Sequence, residues 1–367
     1  MLYGRHPVVT ALLLPFSLLY GIVVSIRNFL FNTGVLSSRT FDIPVISVGN
    51  ITVGGTGKTP HVEHIVSLLI DNFKVAVLSR GYKRKTSGFI LASDTSVVDE
   101  IGDEPLQIKK RFPKAVVAVD GNRVRGIQKL CSLNSELKAI ILDDAFQHRW
   151  VKPGITVLLI DYNQPLKKDY LLPAGRLREF SSASKRAAIV VVTKCPPDFK
   201  PIERRIIMND LNLMPWQTLY FSEFEYGEPV PVFDGALPFP EREEFSTIRS
   251  TILMVTGIAS PGTFERHLRR ISAAPEKIEF SDHHQFSASD IKRISKVFGS
   301  MKGNRNVILT TEKDAMRFRK IDDIDPNISQ NLYYLPVSVR FLENDGEEFK
   351  HQILRYVRNN KRNHLLY

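Results

Sequence analysis

Residues 48–60 read VGNITVGGTGKTP, and this stretch decides the fold of the chain. A short apolar run at 43–48 precedes it, and a helix-like segment at 61–70 follows it. The order of strand, glycine-rich turn, lysine, hydroxyl residue and helix is typical of a phosphate-binding loop (P-loop), in which backbone N–H groups surround phosphate oxygens. The helix N-terminus behind the loop adds a field that favours anions. The stretch predicts a phosphate site and leaves the reaction open.

Individual residues of the loop have predicted roles. Lys58 is expected to reach the β- and γ-phosphates, and the Thr59 hydroxyl to ligate Mg²⁺. The general pattern G-x-x-x-x-G-K-[ST] requires glycine at position 52, where this chain has Thr52, so the strict pattern fails by one residue. A glycine turn with a solvated lysine is the alternative interpretation. The predicted nucleotide-binding residues of the loop are Thr52, Val53, Gly54, Gly55, Thr56, Gly57, Lys58, Thr59 and Pro60.

The composition of the 367-residue chain is that of a folded, basic protein. Hydrophobic residues make up 43% and charged residues 24%, and the length favours two domains. The two cysteines, Cys131 and Cys195, lie far apart in sequence, which argues against a disulfide framework or a cysteine zinc site and suits a reducing compartment. The net charge of +11 fits nucleic acid, an anionic membrane or a phosphorylated substrate as partner.

Residues 7–26 contain no Asp, Glu, Lys or Arg. As a helix they span about 30 Å, the hydrocarbon thickness of a bilayer. We predict a helix embedded in the membrane or lying on it, with the rest of the chain on the cytoplasmic side, where ATP is found. A cleaved signal peptide is one alternative, for which the apolar stretch is long. A buried core helix is the other, because Pro15, Ser17, Tyr20 and Ser25 weaken the spanning signal.

Further apolar runs predict a parallel sheet with ligands at the carboxyl ends of its strands. SRGYKR (79–84) follows one run, and GDEP (102–105) opens a helix-like segment. Alone, these two motifs also fit a solvated basic loop and a helix cap. The run at 139–142 leads into Asp143 and Asp144, and a carboxylate in that position after a P-loop holds Mg²⁺ directly or through water.

The second half of the chain contains two loops and a second α/β pattern. Arg176 and Arg178 lie in a Pro/Gly loop that suits a substrate phosphate. The stretch at 193–198, TKCPPD, faintly resembles the guanine motif [NT]-K-x-D, but its Asp is two places too late, so guanine is discounted. DHH (282–284) follows a later strand; a His pair beside an Asp fits metal binding, a proton relay or a hydrogen-bonded turn.

We therefore predict an α/β protein with a P-loop NTPase-type, mostly parallel sheet flanked by helices. A second, smaller α/β domain and an N-terminal apolar, membrane-associated helix complete it. The predicted divisions are an N-terminal helix at 1–32, a P-loop domain at 33–222, a linker at 223–250, the smaller domain at 251–342 and a C-terminal helix at 343–367.

Taken together, the motifs resemble those of one family, the tetraacyldisaccharide 4'-kinases (lipid A 4'-kinases), over nearly the whole chain. Thr52 is normal for that family. The resemblance implies transfer of the ATP γ-phosphate to the 4'-hydroxyl of a tetraacylated glucosamine disaccharide 1-phosphate. It also implies Mg²⁺ and a site at the cytoplasmic face of the inner membrane. The matching pieces are the apolar N-terminal helix, VGNITVGGTGKTP (48–60), SRGYKR (79–84), GDEP (102–105), DDAFQH (143–148), PAGRLRE (173–179), VTKCP (192–196), GIASP (257–261), DHH (282–284) and TEKDAMR (311–317).

The resemblance also implies roles for individual residues. Asp103 accepts the proton of the sugar hydroxyl, and a histidine of the DHH stretch orients it, for which we favour His283 over His284. Lys58 is the third catalytic residue. The implied metal ligands are Thr59, Asp143 and Asp144. Further nucleotide-binding residues, by a looser resemblance, are Thr311, Glu312 and Asp314. The implied substrate-binding residues are Arg80, Tyr82, Gln147, His148, Arg176, Arg178 and Glu179.

Two hypotheses from other classes compete with a lipid kinase. The first is a membrane-associated P-loop ATPase switch, because GGTGKT resembles the deviant loop of partitioning ATPases. Those proteins carry a lysine immediately before the glycine pair, where this chain has Val53. The second is nucleic-acid binding, but lysines and arginines are dispersed and no DNA- or RNA-binding signature occurs. The predicted partners are therefore the acylated disaccharide 1-phosphate and membrane lipid, with no nucleic acid.

Overall fold

The computed structural model describes residues 7–166, 169–246, 250–272, 274–303, 305–321 and 324–359. These residues form two compact units. Unit 1 takes in the described residues up to Glu223 and those from Val339 onward, and unit 2 is Phe224–Ser338.

Strands and helices alternate through most of the described chain. The strands are β1 (Val45–Gly49), β2 (Val75–Ser79), β3 (Ile90–Leu91), β4 (Val116–Val119), β5 (Ala139–Asp143), β6 (Ile155–Asp161), β7 (Ile189–Thr193), β8 (Thr218–Tyr226), β9 (Val230–Pro231), β10 (Ile252–Thr256), β11 (Glu276–Glu279), β12 (Val307–Thr311), β13 (Leu332–Leu335) and β14 (Val337–Phe341). The helices are α1 (Pro7–Asn32), α2 (Lys58–Leu69), α3 (Val98–Ile101), α4 (Asp103–Arg111), α5 (Arg123–Leu133), α6 (Pro201–Leu211), α7 (Arg242–Ser246), α8 (Gly262–Leu268), α9 (Ala288–Ser300), α10 (Glu312–Phe318), α11 (Pro326–Ser329) and α12 (Asp345–Asn359).

A nine-stranded sheet has the order β14-β8-β7-β6-β1-β5-β2-β4-β3. Its central pairs, from β8 to β4, are all parallel, and β3 pairs antiparallel with β4. Every residue of β1, β2, β5 and β7 is buried, as expected of a parallel sheet covered on both faces. The chain leaves β1 toward β2 on one side and reaches β6 on the other. The carboxyl end of β1 therefore lies at the reversal of strand order, where ligands bind in such sheets.

Unit 2 contains a five-stranded sheet with the order β11-β10-β12-β13-β9, parallel except for β9. Alternate residues of β10 point to opposite faces of this sheet. Leu253 and Val255 pack in one apolar cluster with Ile294, and Met254 packs in another with Phe264. Helices thus cover both faces of the second sheet as well. The predicted α/β class, with a parallel P-loop sheet and a smaller second sheet, is confirmed.

The division into units differs from the predicted boundaries in two places. Residues 224–250, predicted as part of a linker, belong to unit 2 and contain β9 and α7. Residues 339–342, predicted to end the smaller domain, belong with α12 to unit 1. The reason for the second difference is a hydrogen bond from Leu342 N to Phe221 O at 2.9 Å, which ties this stretch to β8.

Helix α1 is the one described helix long and apolar enough to cross a membrane. Its most apolar 18-residue window has a mean hydropathy of 2.2, and only 22% of that window is buried. The interpretation of this segment as a core helix is therefore wrong. Leu12, Leu18, Val23 and Phe29 are each at least 64% exposed.

One narrow stripe of α1 is buried against unit 1. Its members recur at spacings of three, four and seven residues, which places them on one helix face: Thr10, Ser17, Gly21, Val24 and Phe31. The Ser17 hydroxyl donates to Leu171 O and accepts from Ala174 N, both at 2.9 Å. The Tyr20 hydroxyl donates to Arg178 O at 2.8 Å. Polar contacts thus attach α1 to the loop at 171–178.

Candidate active site

The P-loop runs from the end of β1 to the start of α2, and glycines at both of its ends allow its conformation. Gly57 precedes α2 with φ of +86°, a left-handed conformation in which a side chain would be strained. Gly49 leaves no room for a side chain, since a Cβ there would lie 2.8 Å from the Cβ of Phe146. The end of β1 and the segment at 143–148 therefore approach closely. Lys58 is the first residue of α2, and Thr59 follows in its first turn.

Thr52, the departure from the general P-loop pattern, lies in extended backbone. It forms an isolated antiparallel bridge with Leu177 and is 4% exposed. Val53 N donates to Arg176 O, and Arg178 N donates to Ile51 O, each at 2.8 Å. An extended residue does not need the freedom of glycine, which explains why threonine is compatible with this loop.

Lys58, Asp144 and Arg178 form a charged cluster at the loop. Lys58 Nζ lies 3.8 Å from Asp144 Oδ1, and Arg178 donates to both oxygens of Asp144 at 3.1 and 3.2 Å. Burial would raise the pKa of Asp144, but the two cations hold that pKa below its ordinary value. Asp144 is thus an ionised carboxylate that holds Lys58 beside the loop.

Asp143, at the end of β5, is fully buried. Its Oδ2 accepts from the Ser79 hydroxyl at 3.0 Å, and its Oδ1 has no hydrogen-bond partner within the described part of the chain. Burial, with the nearby charges of Glu104 and Asp144, raises the pKa of Asp143 to about 7. A buried carboxylate oxygen without a partner fits a cation better than it fits a structural role.

The donor set fits Mg²⁺. The described residues contain no group of three or more His, Cys, Asp or Glu side chains arranged to hold a metal ion. What the site offers is the Asp143 oxygen, the neighbouring Asp144 and the hydroxyl of Thr59 in the first turn of α2. Few protein oxygens suit an ion that keeps waters and takes phosphate oxygens as its remaining ligands.

Asp103, the predicted base, is the first residue of α4 and is 5% exposed. Its Oδ1 accepts a hydrogen bond from Glu104 N at 3.0 Å. Gly102 before it packs against the basic loop after β2, since a Cβ there would lie 3.2 Å from Tyr82 O. Asp103 and the SRGYKR loop are therefore neighbours, and the charge of Glu104 acts on Asp143. These residues share the P-loop edge of the sheet.

A buried carboxylate links the helix that begins with Lys58 to the helix that begins with Asp103. Glu63 of α2 accepts from Gln107 Nε2 at 2.9 Å and from Arg111 at 2.7 Å, both on α4. Because each contact joins the two helix bodies, the first turns of α2 and α4 are held in a defined relation.

Gln147 joins three parts of this site. Its Nε2 donates to Asn50 O at 2.8 Å, and its Oε1 accepts from Arg178 at 3.4 Å. Arg27 of α1 donates to Gln147 O. Gln147, a predicted substrate residue, thus connects the end of β1, the arginine loop and helix α1.

His148 lies in a cluster of cations. Burial, with the charges of Arg123, Arg27 and Arg80, lowers the pKa of His148 to about 4. Its Nε2 is buried without a hydrogen-bond partner within the described ranges. Tyr82, on the same side of the sheet, is 53% exposed. A neutral imidazole beside three guanidinium groups suits an anionic head group.

The other two predicted substrate residues make contacts within the protein. Arg176 Nε donates to Asp169 Oδ2 at 2.9 Å. Glu179 is 1% exposed and accepts from Asn28 of α1 at 2.8 Å and from Arg186 at 3.0 Å. The structure therefore places Glu179 as an anchor of α1.

His283 lies in unit 2, after β11, with φ of +57°. Its Nε2 lies 3.1 Å from Lys313 Nζ and its Nδ1 3.3 Å from an Arg317 nitrogen. The Nε2 of His284 instead lies 2.9 Å from Asp290 Oδ2, at the start of α9. Both histidines thus have partners within unit 2, and a role for either one in the reaction stays a prediction.

Three predicted nucleotide residues surround the start of α10 in unit 2. Asp314 is fully buried, accepts from Gly257 N at 2.9 Å and pairs with Arg317 at 2.6 Å. Thr311 caps α10, accepting from Asp314 N at 3.2 Å, and Glu312 is 9% exposed in the first turn. These contacts organise the turn after β10, and a nucleotide role for the three residues stays a prediction.

Three residues that contact the P-loop were missed from the sequence. His61 Nδ1 lies 2.8 Å from Gly57 O, and burial lowers the pKa of His61 to about 3, so its ring is neutral. Thr193 and Lys194 contact loop carbonyls from the end of β7. The sequence signal for Thr193 and Lys194 is the VTKCP stretch (192–196), which matches the family but carries no predicted role for these two residues.

Comparison with known proteins gives consistent matches along the chain. A model of the family described as tetraacyldisaccharide-1-P 4'-kinase matches residues 9–358. Tetraacyldisaccharide 4'-kinase of Bacteroides thetaiotaomicron is 47% identical over 361 residues, covering 96% of this chain and 94% of that protein. The corresponding protein of Bacteroides fragilis is 48% identical over 353 residues, with the same coverages. Crystalline LpxK from Aquifex aeolicus in complex with ATP is 28% identical with a TM-score of 0.72, covering 95% of this chain and 99% of that one.

Proposed function

This chain belongs to the tetraacyldisaccharide-1-P 4'-kinase family, and from that premise we propose a role in the reaction for each residue of the site. The protein is an ATP-dependent lipid kinase that transfers the γ-phosphate of ATP to the 4'-hydroxyl of tetraacyldisaccharide 1-phosphate in lipid A biosynthesis. We assign the reaction to this site because Lys58, Asp144 and Asp143 lie close together beside a P-loop. The ATPase-switch hypothesis is not favoured by this membership.

The triphosphate is bound by the P-loop and Lys58. Phosphoryl transfer needs alignment and charge neutralisation more than covalent chemistry. The loop supplies backbone N–H groups and the N-terminus of α2. Lys58 is held 3.8 Å from Asp144, so its ammonium is already beside the loop and needs little reorientation to reach the β- and γ-phosphates.

Asp143 and the Thr59 hydroxyl would hold Mg²⁺, with Asp144 beside them. When bound, the ion neutralises phosphate charge and orients the transferred group. Asp143 suits the first position because its Oδ1 is buried with no hydrogen-bond partner in the described chain, whereas Asp144 is already paired with Arg178. Asp143 must lose its proton to bind the cation, and with a pKa of about 7 it does so readily near neutral pH.

Asp103 acts as the general base. As the 4'-oxygen attacks the γ-phosphorus and the bond to ADP breaks, Asp103 takes the hydroxyl proton. Asp103 is the first residue of α4, next to the basic loop after β2. The family resemblance also gives a histidine of the DHH stretch a role beside this base, and for His283 that role stays a prediction.

The acceptor is bound at the edge that carries His148, Arg80 and Arg178, where cations suit its phosphate. Its acyl chains lie in the membrane beside α1, whose outward surface is apolar and exposed. We place the enzyme at the cytoplasmic face of the inner membrane, where ATP and an acylated sugar are both accessible.

Lys58→Ala tests the assignment with γ-labelled ATP and tetraacyldisaccharide 1-phosphate, followed by separation of the lipids. We expect labelled lipid to fall by on the order of a hundredfold or more. Lys74→Ala is the matched control, because Lys74 precedes β2 at the opposite edge of the sheet. Undiminished labelling by Lys58→Ala would exclude the proposed site. Rapid ATP hydrolysis without lipid labelling in the unmodified protein would favour the switch.

Asp103→Asn tests the base. We expect kcat to fall by on the order of a hundredfold while ATP binding is retained, because the base acts only in the transition state. Asp99→Asn is the control, since Asp99 lies in the first turn of the neighbouring α3 but is half exposed and pairs with Lys85. Near-normal turnover of Asp103→Asn removes Asp103 from the role.

A further inference from the structure

Two residues at the end of β7 hold backbone carbonyls of the P-loop. The Thr193 hydroxyl donates to Thr56 O at 2.9 Å, and Lys194 Nζ donates to Gly55 O. Neither side chain takes part in the mechanism above. We propose that Lys194, with Thr193, is a positioning residue for ATP binding that keeps two P-loop carbonyls turned away from the triphosphate. The inference rests on the proposed role of this loop as the triphosphate site.

Because the peptide bond is planar, the contacts to Gly55 O and Thr56 O also fix the direction of the N–H groups that follow these carbonyls. In a trans peptide the C=O and the following N–H point in opposite directions. With Gly55 O held toward Lys194 and Thr56 O toward Thr193, the amides of Thr56 and Gly57 point the other way. In the sheet, β7 and β6 lie on one side of β1 and β5 lies on the other. Both amides therefore face the side of the site that carries Asp143.

The arrangement also excludes a specific repulsion. A carbonyl oxygen turned toward a phosphate would place two electron-rich oxygens against each other at the site of highest negative charge. The Thr56 amide makes a contact within the loop, to Gly54 O at 3.1 Å, so this peptide has a competing hydrogen bond. By donating to Gly55 O, Lys194 favours the loop orientation in which N–H groups face the triphosphate.

Lys194 is buried, and a buried ammonium group requires a partner. Its side chain is 4% exposed and lies 2.7 Å from Asp161 Oδ2, which is 2% exposed. The other oxygen of Asp161 accepts from Asn163 N at 2.9 Å, so the carboxylate is fixed at the end of β6. An ammonium group has three donors, and Asp161 and Gly55 O each take one. Lys194 has φ of +59°, a strained conformation for a side chain of this size.

If Lys194 and Asp161 form only a stabilising ion pair, a different result is expected. A variant that removes both charges distinguishes this case from a positioning role for Lys194. Lys194→Met leaves Asp161 buried and unpaired, which destabilises the protein whatever the role of the lysine. Lys194→Met combined with Asp161→Asn removes both charges but also removes the donor to Gly55. If the pair serves only stability, the double variant restores the behaviour of the unmodified protein.

The experiment measures the KM for ATP, the KM for the lipid acceptor and the melting temperature of the full-length enzyme. We expect the double variant to recover most of the melting temperature while its KM for ATP stays about 10-fold raised and the acceptor KM is unchanged. Thr193→Val, which keeps the side-chain shape, is expected to raise the KM for ATP by about threefold. Lys109→Met is the control, because Lys109 also contacts a carbonyl, Pro113 O at 3.1 Å, away from the loop.

Each outcome decides between the alternatives. A normal KM for ATP in the double variant, or equal effects on ATP and acceptor, overturns the positioning role. Should the double variant fail to fold, Thr193→Val alone decides, since a normal KM for ATP there overturns the proposal. The variant Lys58→Ala separates a failure of the proposed ATP site from a failure of the inference about Lys194. If Lys58→Ala binds ATP normally, the proposed site is wrong. If Lys58→Ala weakens ATP binding but the Lys194 and Thr193 variants do not, only the inference about Lys194 is wrong.

Discussion

Glu179 gives the sharpest test of what this structure adds to the sequence. The family resemblance implies a substrate-binding residue, whereas the structure buries its carboxylate between Asn28 of α1 and Arg186. Glu179→Gln keeps the size of the side chain and removes its charge, so no cavity is created. What changes is that the Arg186 guanidinium, 25% exposed, loses its ionic partner.

The expected loss of stability follows from this burial. Removing one member of a buried ion pair costs about 3–5 kcal/mol, because the remaining charge stays desolvated. Since Arg186 retains some contact with solvent, we expect about 3 kcal/mol, which in a unit of this size lowers the melting temperature by roughly 6–12 °C. Thermal and urea unfolding in detergent measure the change.

A second ion pair with the same separation provides the control. Lys74 and Glu136 lie 2.9 Å apart, as Glu179 and Arg186 do, but their side chains are 41% and 77% exposed. Glu136→Gln is therefore expected to leave stability unchanged within error. If Glu179→Gln also unfolds normally but raises the KM for the lipid acceptor, the anchoring interpretation is wrong and Glu179 is a substrate residue.

Three further predictions follow from the described contacts. Burial lowers the pKa of His64 to about 4, so between pH 6.5 and 4 this histidine is protonated in the unfolded chain but neutral in the folded one, and the free energy of unfolding falls as the pH falls through that range. The variant His64→Phe should remove up to about 3 kcal/mol of that loss, as measured by urea unfolding at pH 6.5 and pH 4. Leu12→Lys with Leu18→Lys, on the exposed face of α1, should reduce sedimentation with anionic vesicles, whereas Ile206→Lys, at another exposed apolar position, should not. Asp143→Asn should lower phosphate transfer by on the order of a hundredfold and raise the Mg²⁺ concentration needed for half-maximal rate, and an unchanged Mg²⁺ requirement would exclude it as a ligand.

Predictability from sequence varied with the local pattern of each element. β1, β5 and β7 are continuous apolar runs ending in turn residues or aspartate, and buried parallel strands have this signature. β8, TLYFSEFEY, mixes polar and apolar residues, and its last four residues fall within the predicted linker. α6 has no buried residue, so no apolar face marked it as a helix.

Candidate site residues were predictable where a motif carries its own chemistry. Lys58 and Asp143 lie at positions that a P-loop sheet specifies, and the fold brings them to one edge. Glu179 and Asp314 are predicted to bind ligands because a motif contains them, yet each carboxylate is buried and pairs with an arginine in the structure. A carboxylate paired inside the protein and one that awaits a ligand have the same letter in a sequence. Only burial and partners distinguish them.

The P-loop of this protein is defined as much by what lies behind it as by its own residues. Its first part, around Thr52, pairs with the backbone around Leu177, in the loop that follows β6. Its middle, at Gly55 and Thr56, is held from the end of β7 by side chains. Because both supports come from neighbouring strands on one side of β1, the loop can depart from the glycine pattern at position 52 and still present its amides to the opposite side. A sequence motif records the residues that face the phosphate, whereas the contacts that aim them depend on strand order, which no local pattern encodes.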